Sequence, residues 1–292
     1  MPRSQYFAQG HMPLGAGSNN DGQDRYIVYT GMCSIVTEAE IDSRRGLPQS
    51  LRPLRVGALG ARTSSTRETH ALEKRRGTGH VFPTRLIPLL SNATPTQLFL
   101  GNTTSAQLSR YINPDDPQKV LVLTDGSCLN NGKLDAKAGW AFVHGPGLTD
   151  QSTLIVSGRL ESKGPFGDPS VQTSNRAELR AVIAAIRFRD WVSDGFNTMV
   201  IATDSEHVVL GSTQWARLWV RNGWRTAGNE KVKNKDLWEM LLGEVERRHE
   251  EGLSIQFWGI PRDLNKEADA AAKKAAAQGE PRDEWTDVGI PV

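Results

Sequence analysis

Residues 120–132, VLVLTDGSCLNNG, decide how the chain is read. Val120 to Thr124 are apolar or β-branched, the composition of a buried strand. The strand is expected to stop at Asp125, which a glycine follows. A carboxylate buried at the end of a core strand is costly unless something pairs with it. Asp125 must therefore face solvent, an arginine or a metal ion.

Further strands follow at residues 138–145 (AGWAFVHG) and 153–161 (TLIVSGRLE), joined to the first by short Gly-containing turns. Together they read as an antiparallel meander. Ala177, Leu179, Val182, Ile183, Ile186 and Trp191 then recur at helical spacing with arginines between them, an amphipathic helix. Residues 197–205 (NTMVIATDS) read as a fourth strand and 205–223 as helical. Residues 234–252 form a helix with an Asn cap and a Gly stop, 253–261 a fifth strand, and 264–279 an Ala-rich helix. The order βββαβααβα predicts an α/β layer fold with helices packed on a mixed five-stranded sheet.

The chain has 292 residues, and its charge is uneven. Residues 1–110 carry 13 Lys and Arg against 7 Asp and Glu, a net +6, whereas residues 111–292 carry 22 against 26, a net −4. The first region is rich in Arg, Ser, Gly and Thr and poor in aromatics, so it is expected to be a basic, disordered arm. Within it only residues 25–36 (RYIVYTGMCSIV) suggest a strand pair. The expected organisation is an arm over 1–110, a catalytic domain over 111–280 and a short tail over 281–292. No apolar run approaches a bilayer span, and the first residues lack the apolar segment of a secretory signal. Two cysteines, Cys33 and Cys128, imply no disulfide framework. An intracellular protein is expected, with nucleus, cytoplasm and mitochondrion all open.

Asp125 has company. Residues 199–205 (MVIATDS) repeat the pattern, an apolar strand ending in Thr203-Asp204. If the two strands are parallel neighbours, both carboxylates open on the edge where ligands sit in open α/β sheets. Glu178 lies in the first turn of the first long helix, and Asp269 lies among the alanines of the last. Each alone has an ordinary explanation. Asp125 and Asp204 could be turn formers or caps, Glu178 a capping-box partner of Ser174 or Asn175, and Asp269 a solvated helix residue. Four carboxylates in one place would repel one another, and hard divalent cations with oxygen ligands relieve that repulsion. No His or Cys spacing offers a zinc site instead.

Trp215, Trp219 and Trp224 are interleaved with Arg217, Arg221, Arg225, Lys231, Lys233 and Lys235. Trp215 and Trp219 share a helix face, which could be core. The same mixture of cations and flat rings also suits a nucleic-acid backbone with its sugars and bases.

These segments, TDGS, NRAEL, TDSEHV, GWRTA with VKNKDLW, and NKEADAAAKKA, resemble type 1 ribonuclease H in order and spacing over about residues 118–278. The resemblance implies a ribonuclease H-like sheet with helices on both faces. It also implies a metal-dependent endonuclease that cuts the RNA strand of RNA/DNA hybrids, with two Mg²⁺ ions (Mn²⁺ as a substitute) on Asp125, Glu178, Asp204 and Asp269. By the same resemblance Thr173 and Asn234 match DNA-phosphate contacts, and Trp215 and Trp219 line the DNA-strand channel. Asn131, Ser174 and Asn175 fall where RNA 2′-hydroxyls are met. Trp224, Lys231, Lys233 and Lys235 belong to the family's basic protrusion. The implied partner is the hybrid, with no membrane, and the implied state is a monomer.

Two departures stand out. The loop before the last helix, residues 259–265, lacks the family's histidine, and Arg262 is the nearest polar substitute. Val171 stands where some members place a phosphate-binding arginine. Two other readings stay open: a ribonuclease H-like module that binds nucleic acid or protein without cutting, and a ribonuclease H domain derived from a retroelement.

Overall fold

The structure is a computed structural model that describes residues 73–103, 109–147 and 152–289. The elements are β1 (Thr84–Arg85), α1 (Pro95–Leu98), β2 (Leu100–Thr103), β3 (Ser109–Ile112), β4 (Lys119–Leu129), β5 (Lys137–Pro146) and β6 (Thr153–Arg159), then α2 (Ser174–Arg187) and β7 (Thr198–Thr203). They continue with α3 (Glu206–Leu210), a π-helical turn (Gly211–Trp215), α4 (Ala216–Arg221), α5 (Lys235–Glu250), β8 (Ser254–Gly259), a 3₁₀ turn (Arg262–Leu264) and α6 (Lys266–Gln278).

All the strands belong to one mixed sheet, in the order β1-β8-β7-β4-β3-β2, with β5 and then β6 added beside β4. The near half of β4 pairs in parallel with β7 through Lys119–Leu123, while its far half pairs antiparallel with β5 from Leu123 to Leu129. The five expected strands are β4 to β8. Three short strands from residues before 113 extend the sheet to eight.

Strand alternation divides the core. Val120, Val122, Phe142, Met199, Ile201 and Phe257 pack beneath α2 and α5. Leu121, Val200, Ala202 and Trp258 face the opposite side, under Phe99. Farther along that side, Ala141, Val143 and Ile155 meet Ala268, Ala271 and Ala272 of α6. Side chains two apart share a face, so each strand feeds both layers.

Two glycines set how close the helices come. A Cβ on Gly126 would lie 2.1 Å from the backbone nitrogen of Glu178 in α2, and one on Gly139 would lie 2.3 Å from that of Ala276 in α6. Gly126 therefore does not end the strand, as its sequence suggested. β4 continues to Leu129, and Asp125 sits in mid-strand opposite Ala141. The glycine is needed there for helix approach.

The boundary drawn at residue 110 also falls too late. Residues 73–86 form a strap along α5. Gly77 N–H donates to the Glu239 carbonyl, and the Glu246 carboxylate accepts from the backbone N–H groups of Thr78, Gly79 and His80 at 2.7–3.1 Å. Arg75 forks onto Glu250 at 2.9 and 3.0 Å. The strap ends in β1, which joins β8 in parallel. The remaining arm, with the strand pair expected at residues 25–36, lies outside the described residues.

Nor are residues 281–289 a loose tail. Trp285 is buried in the main core, and the Arg180 guanidinium lies 4.0 Å from its ring centroid. This explains a third difference. Arg176, Arg180 and Arg187 of α2, expected on a polar stripe, are all buried. Arg180 pairs with buried Glu161 and donates to the Thr286 carbonyl. Arg187 joins four segments at once: its own helix, Glu244 of α5, Asp287 of the C-terminal strap and the Glu73 carbonyl of the N-terminal strap. Buried guanidinium groups require such partners.

Candidate active site

β4 and β7 are parallel neighbours with Leu123 opposite Ala202, so carrying the register on by two residues sets Asp125 beside Asp204. Beyond β7 the chain turns into α3, whose N-terminus is capped by the Ser205 hydroxyl accepting from Val208 N–H. Asp204 is left free of that capping duty. Asn265 orders it: the amide nitrogen of this buried side chain donates to Asp204 Oδ1 at 2.8 Å and to the Thr124 carbonyl at 3.0 Å. One side chain thus ties the last helix to mid-β4 and to the residue that follows β7.

Glu178 arrives on α2. Its helix is capped by Thr173, whose hydroxyl accepts from Arg176 N–H at 3.3 Å, so the capping-box role considered for Glu178 is not the one it takes. Glu178 instead lies within electrostatic reach of Asp125, and its Oε2 is buried with no partner. Burial, followed by the charges of Asp125 and Asp204, raises its pKa well above the ordinary carboxylate range. Asp125 is 4% exposed. Burial, then the charges of Asp204 and Asp269, pushes its pKa up to about 7. Asp125 is thus within electrostatic reach of each of the other three expected carboxylates.

Asp269 differs. Burial opposes its charge, but hydrogen bonds from Lys273 at 2.6 Å and Arg262 at 2.7 Å outweigh it and hold the carboxyl below the usual range. Arg262 therefore reaches the acidic group from the short loop. Lys273, one turn beyond Asp269, escaped the sequence reading although its i,i+4 spacing was legible. Among the described residues no group of three or more His, Cys, Asp or Glu side chains is gathered tightly enough to hold an ion as it stands.

The expected nucleic-acid residues fall into three groups. Asn131 and Ser174 meet across the groove, amide nitrogen to hydroxyl at 3.4 Å, with exposed Asn175 beside them. Thr173 and Asn234, at the N-termini of α2 and α5, are joined through Arg176. The Arg176 guanidinium donates to Asn234 Oδ1 at 3.4 Å and forks onto Asp236 at 2.7 and 2.9 Å. Arg176 was visible only as part of the NRAEL segment. Val171 is exposed and itself carries no charge.

Trp215 and Trp219 are half-buried, with ring centroids 5.9 Å apart. Trp219 stacks edge-on to Trp238 at 5.2 Å, and the His207 ring packs against both Trp215 and Trp238. His207 is thus half-buried in the aromatic cluster, and burial lowers its pKa. The π-helical turn before α4 brings Trp215 into this cluster. Trp224 takes a left-handed backbone conformation (φ 63°), and Lys235 Nζ lies 5.8 Å from its ring centroid. All three lysines of the stretch, Lys231, Lys233 and Lys235, are exposed, and Lys235 also pairs with Glu239.

The RNase H family model matches residues 117–277, more than half of the chain, and the chain belongs to the ribonuclease H family. Ribonuclease H1 of Mus musculus is 35% identical over 167 residues, covering 56% of this chain and 52% of that protein. The chain thus spans about half the length of its mammalian relatives. Ribonuclease H of Treponema pallidum is 40% identical over 125 residues, covering 42% of this chain and 70% of that protein. A solved structure of LC9-RNase H1, described as a type 1 RNase H with the type 2 active-site motif, is 24% identical, covers 56% of this chain and 74% of that chain, and has a TM-score of 0.39. β1, β2, β3 and the C-terminal strap lie outside the family match.

Proposed function

We propose that the chain cuts the RNA strand of RNA/DNA hybrids by metal-dependent phosphodiester hydrolysis. The observation that carries this reading is Asp125 within electrostatic reach of Glu178, Asp204 and Asp269, just beyond the stretch where β4 and β7 pair in parallel. An all-carboxylate donor set, including a buried Glu178 oxygen with no partner, suits a hard divalent cation. Two Mg²⁺ ions, or Mn²⁺ in their place, would be held by these four residues. Bound there, the ions supply positive charge at the phosphate and an activated water.

The chain's own residues do the rest. Asn265 fixes the Asp204 carboxylate, while Arg262 and Lys273 orient that of Asp269. Thr173 and Asn234 take a phosphate of the DNA strand, Trp215 and Trp219 line its path, and Trp224, Lys231, Lys233 and Lys235 carry the backbone. Asn131, Ser174 and Asn175 select the ribose by its 2′-hydroxyl. A monomer is the proposed state. Arg262 replaces the loop histidine by charge alone, since a guanidinium does not titrate in the working range.

The test is a hybrid labelled on each strand, incubated with Mg²⁺ or with EDTA, using the parent chain and Asp125→Asn. Metal-dependent cutting of the RNA strand only, lost in Asp125→Asn, is the expected result. The engagement of Asp269 by two cations favours a second reading, a module that binds without cutting, and binding with no cleavage in Mg²⁺ would establish that one instead.

A further inference from the structure

The cavity that contains Asp204 is not built from the family-matched region alone. It encloses about 220 Å³, and its walls include Asp204, Glu206, Gly259, Pro261 and, from β1, Arg85. β1 pairs in parallel with β8, β8 with β7 and β7 with β4. The carboxyl ends of β1, β8 and β7 open on one edge beside Asp125 of β4, where open α/β sheets bind ligands. Arg85 is the last residue of the outermost of them. Its backbone is fixed, opposite Phe257 in the register and followed by a Leu86 N–H bond to the Phe257 carbonyl at 2.8 Å, while its side chain is exposed.

The state of this guanidinium is informative. Arg262, at the same edge, is paired with Asp269 at 2.7 Å. Most arginines of the strap and of α2 are likewise paired: Arg75, Arg76, Arg176, Arg180 and Arg187. Among the described residues none forms an ion pair with Arg85. Asp204 and Glu206 give the cavity a negative wall that would repel an incoming phosphate, and Arg85 stands on the same cavity as the opposing charge.

We propose that Arg85 is a substrate-binding residue that contacts a backbone phosphate of the RNA strand beside the bond that is cut. The fork of a guanidinium matches a phosphate, and sharing a cavity with Asp204 assigns that phosphate to the cut strand rather than to its complement. The N-terminal strap thereby does more than brace α5, since it adds a cation to the substrate path. This assignment rests on the hybrid-cleaving reading above.

The experiment uses the full chain carrying Asp125→Asn, in Mg²⁺, so that a short fluorescent hybrid is bound and not consumed. Affinity is measured across a salt series with and without Arg85→Ala. Arg85→Ala is expected to weaken binding roughly tenfold, the loss of one charged hydrogen-bonding contact. It is also expected to flatten the slope of log affinity against log salt by about 0.9, one phosphate contact fewer. Arg85→Lys should restore the slope but only part of the affinity. A set of hybrids with a single neutral methylphosphonate walked along the RNA strand then locates the contact. One position should reproduce the loss when Arg85 is present and cost nothing further in Arg85→Ala. If the parent binds the hybrid and Arg85→Ala changes neither affinity nor slope, or if every methylphosphonate adds fully to it, the assignment is wrong while the cleavage reading stands. If the parent does not bind the hybrid at all, both fall.

Discussion

Gly126→Ala is a one-methyl test of how the acidic site is assembled. The added Cβ would lie 2.1 Å from Glu178 N, 2.4 Å from the Ala177 carbonyl carbon and 2.7 Å from Glu178 Cα, all backbone atoms that no rotamer change can move. Ordinary contact begins at 3.4 Å, so α2 must retreat from β4 by about 1.3 Å at this point. Overpacking of this kind typically costs ~1–3 kcal/mol. The functional cost should be larger in proportion. Glu178 rides on the displaced turn while Asp125 stays on the strand, and a 1 Å misplacement at a reacting centre can cost about 10²-fold in rate. The assay is single-turnover cleavage of a labelled hybrid at saturating Mg²⁺, beside thermal unfolding. Expected are a rate lower by roughly two orders of magnitude and a modest drop in melting temperature, with a smaller loss of hybrid affinity, because Thr173, Ser174 and Asn175 move with α2 while the basic protrusion rides on other elements. A variant that cleaves at the parent rate and melts at the parent temperature would show that α2 does not owe its position to this glycine.

Three further outcomes are expected. A chain beginning at residue 111 should melt well below one beginning at residue 73, because it loses β1, β2, buried Phe99 and the donors to Glu246; equal melting curves would refute the role of the strap. Without metal, stability should fall as pH rises from the ordinary carboxylate range through about 7, since a raised folded-state pKa stabilises only while the proton stays on. Asp125→Asn should flatten that fall in a urea titration at several pH values. Replacing Lys231 and Lys233 together by Ala should reduce the salt slope of hybrid binding more than replacing Lys235, which already spends its charge on Glu239 and Trp224. A larger effect from Lys235 would reverse that ranking.

The strands β4 to β8 and the helices α2, α5 and α6 were legible because each buries a long regular face, giving period-2 or period-3.6 spacing that survives in one sequence. The acidic site was half legible. The repeated Thr-Asp at residues 124–125 and 203–204 marks two matching positions on neighbouring parallel strands, although only β7 ends there, and only the family resemblance singled out Glu178 and Asp269 from other helical acids. Residues 73–112 were hidden for a physical reason. β1 has two residues and β2 four, too short for periodicity, and the strap is held largely by backbone N–H groups meeting Glu246 and the Glu239 carbonyl. Backbone donors leave no mark on composition. The buried arginines of α2 misled for a related reason. They look like a solvent stripe until residues 161, 244, 286 and 287 are brought over them from distant parts of the chain.

The four-way junction at Arg187 has a topological consequence. Glu73 and Asp287, near the two limits of the described residues, are both bonded to the same guanidinium, so the path between them very nearly closes into a ring. A linker of a few residues could complete it. The ring could then be opened at the exposed Gly252 turn between α5 and β8, which would make β8 the first strand of the permuted chain and leave Asp125, Glu178, Asp204 and Asp269 on uninterrupted segments. On this view the linear order of the elements records where the chain happens to be cut, and the body itself is indifferent to it.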